Sequence, residues 1–392
     1  MSPDRPNDSD GPRRPAPVTP PAVAPRPPAG ERLIAAPAAP GAPKRQGSGT
    51  PRWLWPVAVG VVAAIALAAL FVWRTQPSQP ATGIDDIQLS FPAGGPERAD
   101  GPWVRLQAAP LRVGANRVEI AWLPAKAAAP SAAGVRRVSL ALTPLAPAGE
   151  PLTVEATARG DGTFVAEGVS LPAAGWWRIA PTLETDALGA VAVPFDLVVP
   201  DPNINGTAAA PHPASQPDAK ALYERGLAAM TGLHRVRFWQ TMANGLGVNA
   251  LSEHAVRADS GGATPAFAYH AYGGLEAVVI GDTMWRRSPG TPWATAEAAP
   301  MVQPSAWGEE YAGATGFVLG GEAMLGGERC RLVAFQTPDL TEPRTQVAAW
   351  YLWWVGETSG EVHREAMISR AHYMTNDFSG FDAPLTITPP AA

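Results

Sequence analysis

Two histidines and two methionines near the C-terminus, His363, Met367, His372 and Met374, are the side chains best suited to chemistry in this chain. Neutral imidazole and thioether are ligands that copper(I) accepts. In EVHREAMIS, His363 and Met367 fall on one face of an extended strand, and His372-Tyr373-Met374 repeats the alternation. The four are strung out along strands, however, no cysteine or acidic group repeats their spacing, and methionine commonly fills irregular cores. They are therefore assigned no metal. Cys330 is the only cysteine, which excludes an intrachain disulfide, a CxxC redox pair and a cysteine zinc cluster. It alternates with Leu332 and Ala334, as a buried inert thiol does. His234, beside Arg235 and Arg237, is expected to be solvated at a strand start. There is no GxSxG, HExxH, P-loop or dinucleotide glycine fingerprint. GGEAMLGGE at 320–328 lacks the Lys-Ser/Thr that would follow a phosphate loop, and is expected to be a hairpin turn. The expectation is a protein that is not an enzyme and carries no cofactor.

The elements that would position these groups centre on WYLWWVGETSGEVHREAMIS, residues 350–369. As a strand, it places Trp350, Leu352 and Trp354 on one side and Tyr351, Trp353 and Val355 on the other. A surface sheet shows one polar face. Here both are apolar, so a helix, a lid segment or a ligand must cover the second. GETSG closes a tight hairpin. Upstream, DAKALYERGLAAMTGL predicts an amphipathic helix with Tyr223, Leu227 and Met230 on one face and Asp218 as its cap. HRVRFWQTM, NALSEHAVRA, AFAYHAY, LEAVVIGDTMWRR, ERCRLVAFQ, QVAAWYLWWV, EVHREAMIS and APLTITPP read as strands. One helix followed by a long antiparallel series predicts an α+β domain, a curved sheet wrapped on a helix, over 217–390.

Within that domain VVIGDTMWRRSPGTPW, WWVGETSGEVHREAMIS and HYMTNDFSGFDAPLTITPP resemble the LolA/LppX group of periplasmic lipid-binding lipoproteins. Gly356 stands where the group has an acidic turn residue, and the chain has no lipobox cysteine near its start. The resemblance implies a LolA-like half-barrel with an apolar cavity that holds acyl chains. Phe238, Tyr269, Met284, Trp350, Leu352 and Trp354 are the expected ligand-binding lining.

Residues 102–200 alternate by two throughout. Val118, Ile120 and Trp122 share a face, as do Val138, Leu140 and Leu142, and Val191, Val193, Phe195, Leu197 and Val199. With LTVEATA, TFVAEGV and GWWRIAP they make about seven strands and no helix, which predicts an all-β Ig-like sandwich with Trp122 and Trp177 in its core. PLRVGANRVEIAW, RRVSLALTP, GTFVAEGVSLPAAGWWRI and VPFDLVVP resemble the YtkA-like or FixH-like sandwich found in CopC/CopD-type copper-resistance proteins. Its GxN and GxWxI elements are Gly114–Asn116 and Gly175–Ile179, better explained by turns and packing than by chemistry. Residues 102–200 contain no His, Cys or Met, so the sandwich has no copper ligands of its own.

Residues 53–73 carry no charged side chain and would span about 30 Å as a helix, the thickness of a bilayer core. Trp53, Trp55 and Trp73 mark its ends, and Arg26, Arg32, Lys44, Arg45 and Arg52 precede it. This predicts a single transmembrane signal-anchor with the N-terminus cytoplasmic and all later domains extracytoplasmic, at the cell membrane. Residues 1–52, rich in Pro and Ala, are expected to be a disordered tail, with PAPVTPPAVAPRPP able to dock a partner as a polyproline helix. Residues 74–101 and 201–216 are expected to be linkers. A net charge of −5 gives no case for nucleic acid. The partners expected are the membrane, a lipid or other apolar ligand, and a membrane-protein partner. Three functions are carried forward: a membrane-anchored binder of an apolar ligand, a copper-homeostasis accessory whose sandwich docks a CopC/CopD-like transporter, and a structural interaction module.

Overall fold

The period-two alternation of the first domain builds nine strands in a computed structural model that describes residues 85–126, 128–204, 213–258, 264–298, 302–339 and 347–391. The expected tail at 1–52, the anchor at 53–73 and residues 74–84 and 205–212 of the expected linkers lie outside the described residues. Among those that are described, no helix is long and apolar enough to cross a membrane.

β1 (Ile87–Pro92), β2 (Trp103–Ala109), β3 (Gly114–Leu123) and β6 (Thr163–Leu171) form one antiparallel sheet. β4 (Val135–Ala146), β7 (Gly175–Thr185), β8 (Gly189–Ala192) and β9 (Phe195–Val199) form the other. β5 (Leu152–Ala158) pairs with β4 along most of its length and with β6 at its end, bridging the two. Val118, Ile120 and Trp122 meet Val138, Leu140, Leu142, Trp177 and Phe195 in one buried core. The expected β-sandwich is therefore present.

Two expectations need correction. The segment 74–101 is not linker throughout. Its Ile87 and Leu89 alternate into the core, and β1 pairs with β2 from Ile87↔Ala108 to Pro92↔Trp103. The run 191–199 is not one strand either. Pro194 has no N–H to continue a ladder, and the chain restarts there as β9.

The second domain opens with helix α1 (Pro217–Thr231). Its N-cap is Gln216, with Asp218 inside the first turn, so the expected Asp218 cap is replaced. Ser215 and Gln216 instead anchor the helix start to the sheet: Ser215 Oγ accepts from Gly316 N, and Gln216 Oε1 accepts from Leu319 N. Eleven strands follow, β10 (Arg235–Ala243), β11 (Asn249–Arg257), β12 (Ala266–Ala271), β13 (Glu276–Ile280), β14 (Thr283–Arg287), β15 (Ala294–Glu297), β16 (Thr315–Leu325), β17 (Glu328–Thr337), β18 (Ala349–Gly356), β19 (Val362–Ser369) and β20 (His372–Ser379). They make one curled antiparallel sheet in the order β15-β14-β13-β12-β11-β10-β20-β19-β18-β17-β16. Two meanders are joined where β10 pairs with β20, from Arg237↔Ser379 to Ala243↔Tyr373. α1 lies in the concavity. A Cβ on its Gly226 would meet Val355 and Val362 at 3.3 Å, so glycine permits the close approach. A 3-10 strap, Pro304–Tyr311, lies beside it.

The cover over the second face of the Trp-rich ribbon is the sandwich. Leu352 and Trp354, with Leu332, Ala334, Ala366, Ile368 and Tyr373, are buried in the same cluster as the sandwich core. Arg178 of β7 lies over the Trp354 ring at 5.4 Å, while its guanidinium pairs with Asp196. The start of the expected linker 201–216 is a clasp. Asn203 Nδ2 donates to Ser369 O at 3.0 Å, and Ala371 N donates to Asn203 Oδ1 at 2.7 Å. The two domains are fastened over the convex face of the sheet.

Candidate functional site

Cross-strand register sorts the lining. Directly opposite residues point to the same face. Val236↔Val256↔Phe267↔Val279↔Met284 and Phe238↔His254↔Tyr269 run across β10–β14 on the concave side, with Val236, Val256, Phe238 and Phe267 in the cluster around α1. The structure thus places three of the six expected lining residues, Phe238, Tyr269 and Met284, on the concave face. Met284 is fully buried there. Leu352 and Trp354 are corrected: they point outward into the interface with the sandwich, and Trp350 packs, half-buried, against that same cluster. The sequence could not show this, because both faces of their strand are equally apolar.

The concavity has a filled half and an open half. In the filled half the Tyr223 ring of α1 stacks on Trp353 at 5.2 Å and meets Phe335 at 4.7 Å. Tyr311, from the strap, meets Trp353 edge-on at 4.8 Å. Within this aromatic packing sits a buried carboxylate, Glu365, which sequence reading passed over as one polar residue in a strand. Tyr311 Oη donates to Glu365 Oε2 at 2.6 Å, Trp353 Nε1 donates to the same oxygen at 2.7 Å, and Asn376 Nδ2 donates to Oε1 at 3.0 Å. Burial pushes the Glu365 carboxyl up, while the three donors oppose the shift. A cavity in this half, lined by Leu227, Met230, Trp307, Tyr311, Trp353 and Glu365 among others, is about 20 Å³. That is room for one water and far too little for an acyl chain.

The open half lies over β10–β12. The Phe238 ring stacks on His254 at 4.3 Å and meets Phe378 at 5.2 Å, and His254 meets Tyr269 edge-on at 5.0 Å. Trp307 of the strap borders the group, edge-on to Phe238 at 6.4 Å. Phe238, Phe267, Tyr269, Trp307 and Phe378 are each only half-buried. Burial holds the His254 imidazole down, to about 3, so it is neutral at physiological pH, and its Nε2 shares a 2.8 Å hydrogen bond with Ser252 Oγ. The surface is aromatic and uncharged, suited to an apolar molecule rather than to acid–base chemistry.

The four residues read as soft ligands are divided by the fold. A bulge where Trp354↔Arg364 gives way to Val355↔Val362 breaks the alternation of β19, and takes His363 off the face of Met367. His363 instead joins Glu328 and Glu361 at the end of the sheet, with ligand atoms within 4.8 Å of one another. Two carboxylates and an imidazole can hold a divalent cation, but here Glu328 clamps a turn. It accepts from Thr358 N, Ser359 N, Ser359 Oγ and His363 Nε2, which hold its carboxyl down, to about 2, against the burial that raises it. Cys330 is buried and its thiol is pushed up to about 11, as an inert thiol should be.

No protein-family model and no curated protein sequence matches this chain. Solved structures are similar to part of this chain at low identity. Lipoprotein LppX of Mycobacterium tuberculosis is 16% identical over 44% of this chain and 100% of its own, with a TM-score of 0.34. LprF of Mycobacterium bovis is 15% identical over 46% of this chain and 100% of its own, with a TM-score of 0.36. The MucA/MucB complex of Pseudomonas aeruginosa is 16% identical over 41% of this chain and 55% of that chain, with a TM-score of 0.26.

Proposed function

We propose that this is a membrane-anchored extracytoplasmic protein whose half-barrel binds an apolar ligand, a lipid or similar amphiphile, on the open half of its concave face. The observation that carries the reading is the group of half-buried rings, Phe238, Phe267, Tyr269, Trp307 and Phe378, on the apolar concave face of the sheet. Covering several hundred Å² of such surface is worth roughly 25 cal/mol per Å². The anchor is the apolar run 53–73, and the sandwich, proposed to be YtkA-like, serves as a rigid backing for the curled sheet. With no His, Cys or Met in 102–200, the sandwich would take part in copper handling only as a docking surface.

Full-length protein extracted in mild detergent and weighed by native mass spectrometry is expected to carry a bound amphiphile. Phe238→Asp with Tyr269→Asp is expected to lose it while keeping the fold. A second reading, an interaction module with a solid core, is favoured by the 20 Å³ cavity. A ligand-free mass, together with no binding of a fluorescent fatty acid by the wild-type protein, would establish that reading and remove the first.

A further inference from the structure

Beyond the aromatic group, toward the rim, the concave face carries a second set of side chains. Met242 of β10, Met374 of β20 and Met367 of β19 stand directly opposite one another across three adjacent strands, Met242↔Met374 and Met374↔Met367. Residues so paired have Cβ atoms about 4.5–5.5 Å apart. Three thioethers on flexible stems therefore stand side by side on one face, with Met374 between the other two. All three are half-buried, with Met367 packed against the cluster around α1. His372 shares the face, because Tyr373 between it and Met374 points the other way, into the cluster with the sandwich. The His372 imidazole is buried at the same end of β20. Side-chain amides fix the central thioether: Gln240 Nε2 donates to Met374 Sδ at 3.3 Å and Asn376 Nδ2 lies at 3.9 Å.

We propose that Met242, Met367, Met374 and His372 form a binding site for a single copper(I) ion. Thioether and neutral imidazole are soft, uncharged ligands that suit copper(I) and discriminate against magnesium, calcium and other hard cations. The competing explanation is packing, since methionine also fills adaptable apolar surfaces. The two differ in what the sulfur atoms must do. Packing needs volume, which leucine supplies, whereas a copper site needs sulfur.

The test is an anaerobic competition between full-length protein in detergent and a chromophoric copper(I) chelator, with Cys330→Ser as background so that the thiol cannot contribute. One copper(I) per chain should be withheld from the chelator. Met374→Leu should weaken binding at least tenfold, the Met242, Met367 and Met374 triple leucine variant should abolish it, and Met324→Leu, at an exposed position on β16, should leave it unchanged. X-ray absorption of the copper-loaded protein should show sulfur scatterers and does not depend on any methionine variant folding. Complete stripping of copper by the chelator, equal binding by the triple leucine variant, or a spectrum with nitrogen and oxygen scatterers alone would overturn the site and leave the methionines as packing.

Discussion

Tyr373 Oη donates a hydrogen bond to Asp201 Oδ1 at 3.0 Å, tying the residue that follows the sandwich to a strand 172 positions further on. Asn203 N donates to the same oxygen at 2.8 Å, and Asn203 holds the β19–β20 turn. The other carboxylate oxygen, Oδ2, is buried with no hydrogen-bond partner. A buried carboxylate with one orphaned oxygen is better accommodated with a proton than without. Burial raises the Asp201 carboxyl accordingly, to about 7, and no opposite charge faces it; the Tyr373 and Asn203 hydrogen bonds only moderate the rise.

That proton makes the domain junction sensitive to pH, with a definite sign. The unfolded chain releases the Asp201 proton near 3.8, whereas the folded chain keeps it until about 7. Between those values the folded state binds the extra proton, so this group's contribution falls as pH rises, by at most about 1.4 kcal/mol per pH unit. Asp201→Asn, which is neutral at every pH, isolates the effect. Denaturant titrations of both proteins should agree most closely near pH 4, and the variant should gain on the wild type steadily up to pH 8. A stability difference that stays constant across that range would show that Asp201 is ionised in the fold.

Two histidines work in the opposite direction. His254 and His372 are held to about 3 and about 4 by burial, below the 6.5 of a free imidazole. The unfolded chain therefore takes up these protons first as pH falls, and their contribution to stability is present above about 6.5 and lost below it. Ring-proton NMR shifts of both residues should stay flat from pH 8 down to 5. A midpoint above 5.5 for His254 would contradict its sealed stacking against Phe238.

Much of this architecture was legible in period-two patterning, because alternation reports burial on one face directly. Val138, Leu140 and Leu142 are buried as their spacing demands, and the helix beginning near Asp218 is present. The pattern failed where a strand is apolar on both sides. Trp350, Leu352 and Trp354 looked like a surplus seeking a ligand, when the missing cover was the other domain, and no local signal reports a partner surface 150 residues upstream. The pairing of His363 with Met367 failed for a related reason. Spacing along β19 placed His363 with Met367, but a bulge separates them, whereas Met242 joins Met374 only through the β10–β20 pairing, which closes the first strand of the domain on its last.

The strap over the filled half is held by rings and one strong hydrogen bond. Tyr311→Phe keeps the ring contacts with Tyr351 and Trp353 and removes only the donor to Glu365. Losing one charge-assisted bond to a buried carboxylate should destabilise the strap by about 1.5–3 kcal/mol. Hydrogen exchange should speed up across 304–312 while the strands beneath remain protected. Unchanged exchange there would mean that the ring packing alone holds the strap, and that Trp353 and Asn376 satisfy Glu365.

Docking of the sandwich on the sheet depends on a glycine. Gly320, in the irregular part of β16, has no room for a side chain: an added Cβ would collide with the Leu145 carbonyl oxygen of β4 and lie 2.7 Å from Leu332 Cβ. Both neighbours belong to packed elements, so neither can yield as a flexible side chain would. Gly320→Val should therefore push β4 away from β16 and β17 and expose Leu352 and Trp354, which share the cluster with Leu145 and Leu332. Exposure of these side chains should appear as a red shift in tryptophan emission and faster proteolysis of the chain. The half-barrel core around Tyr223 and Phe335 faces the other way and should keep its protection from hydrogen exchange. If emission and cleavage match the wild type, the two domains tolerate separation at this point, and the junction is held by Asp201, Asn203 and Tyr373 alone.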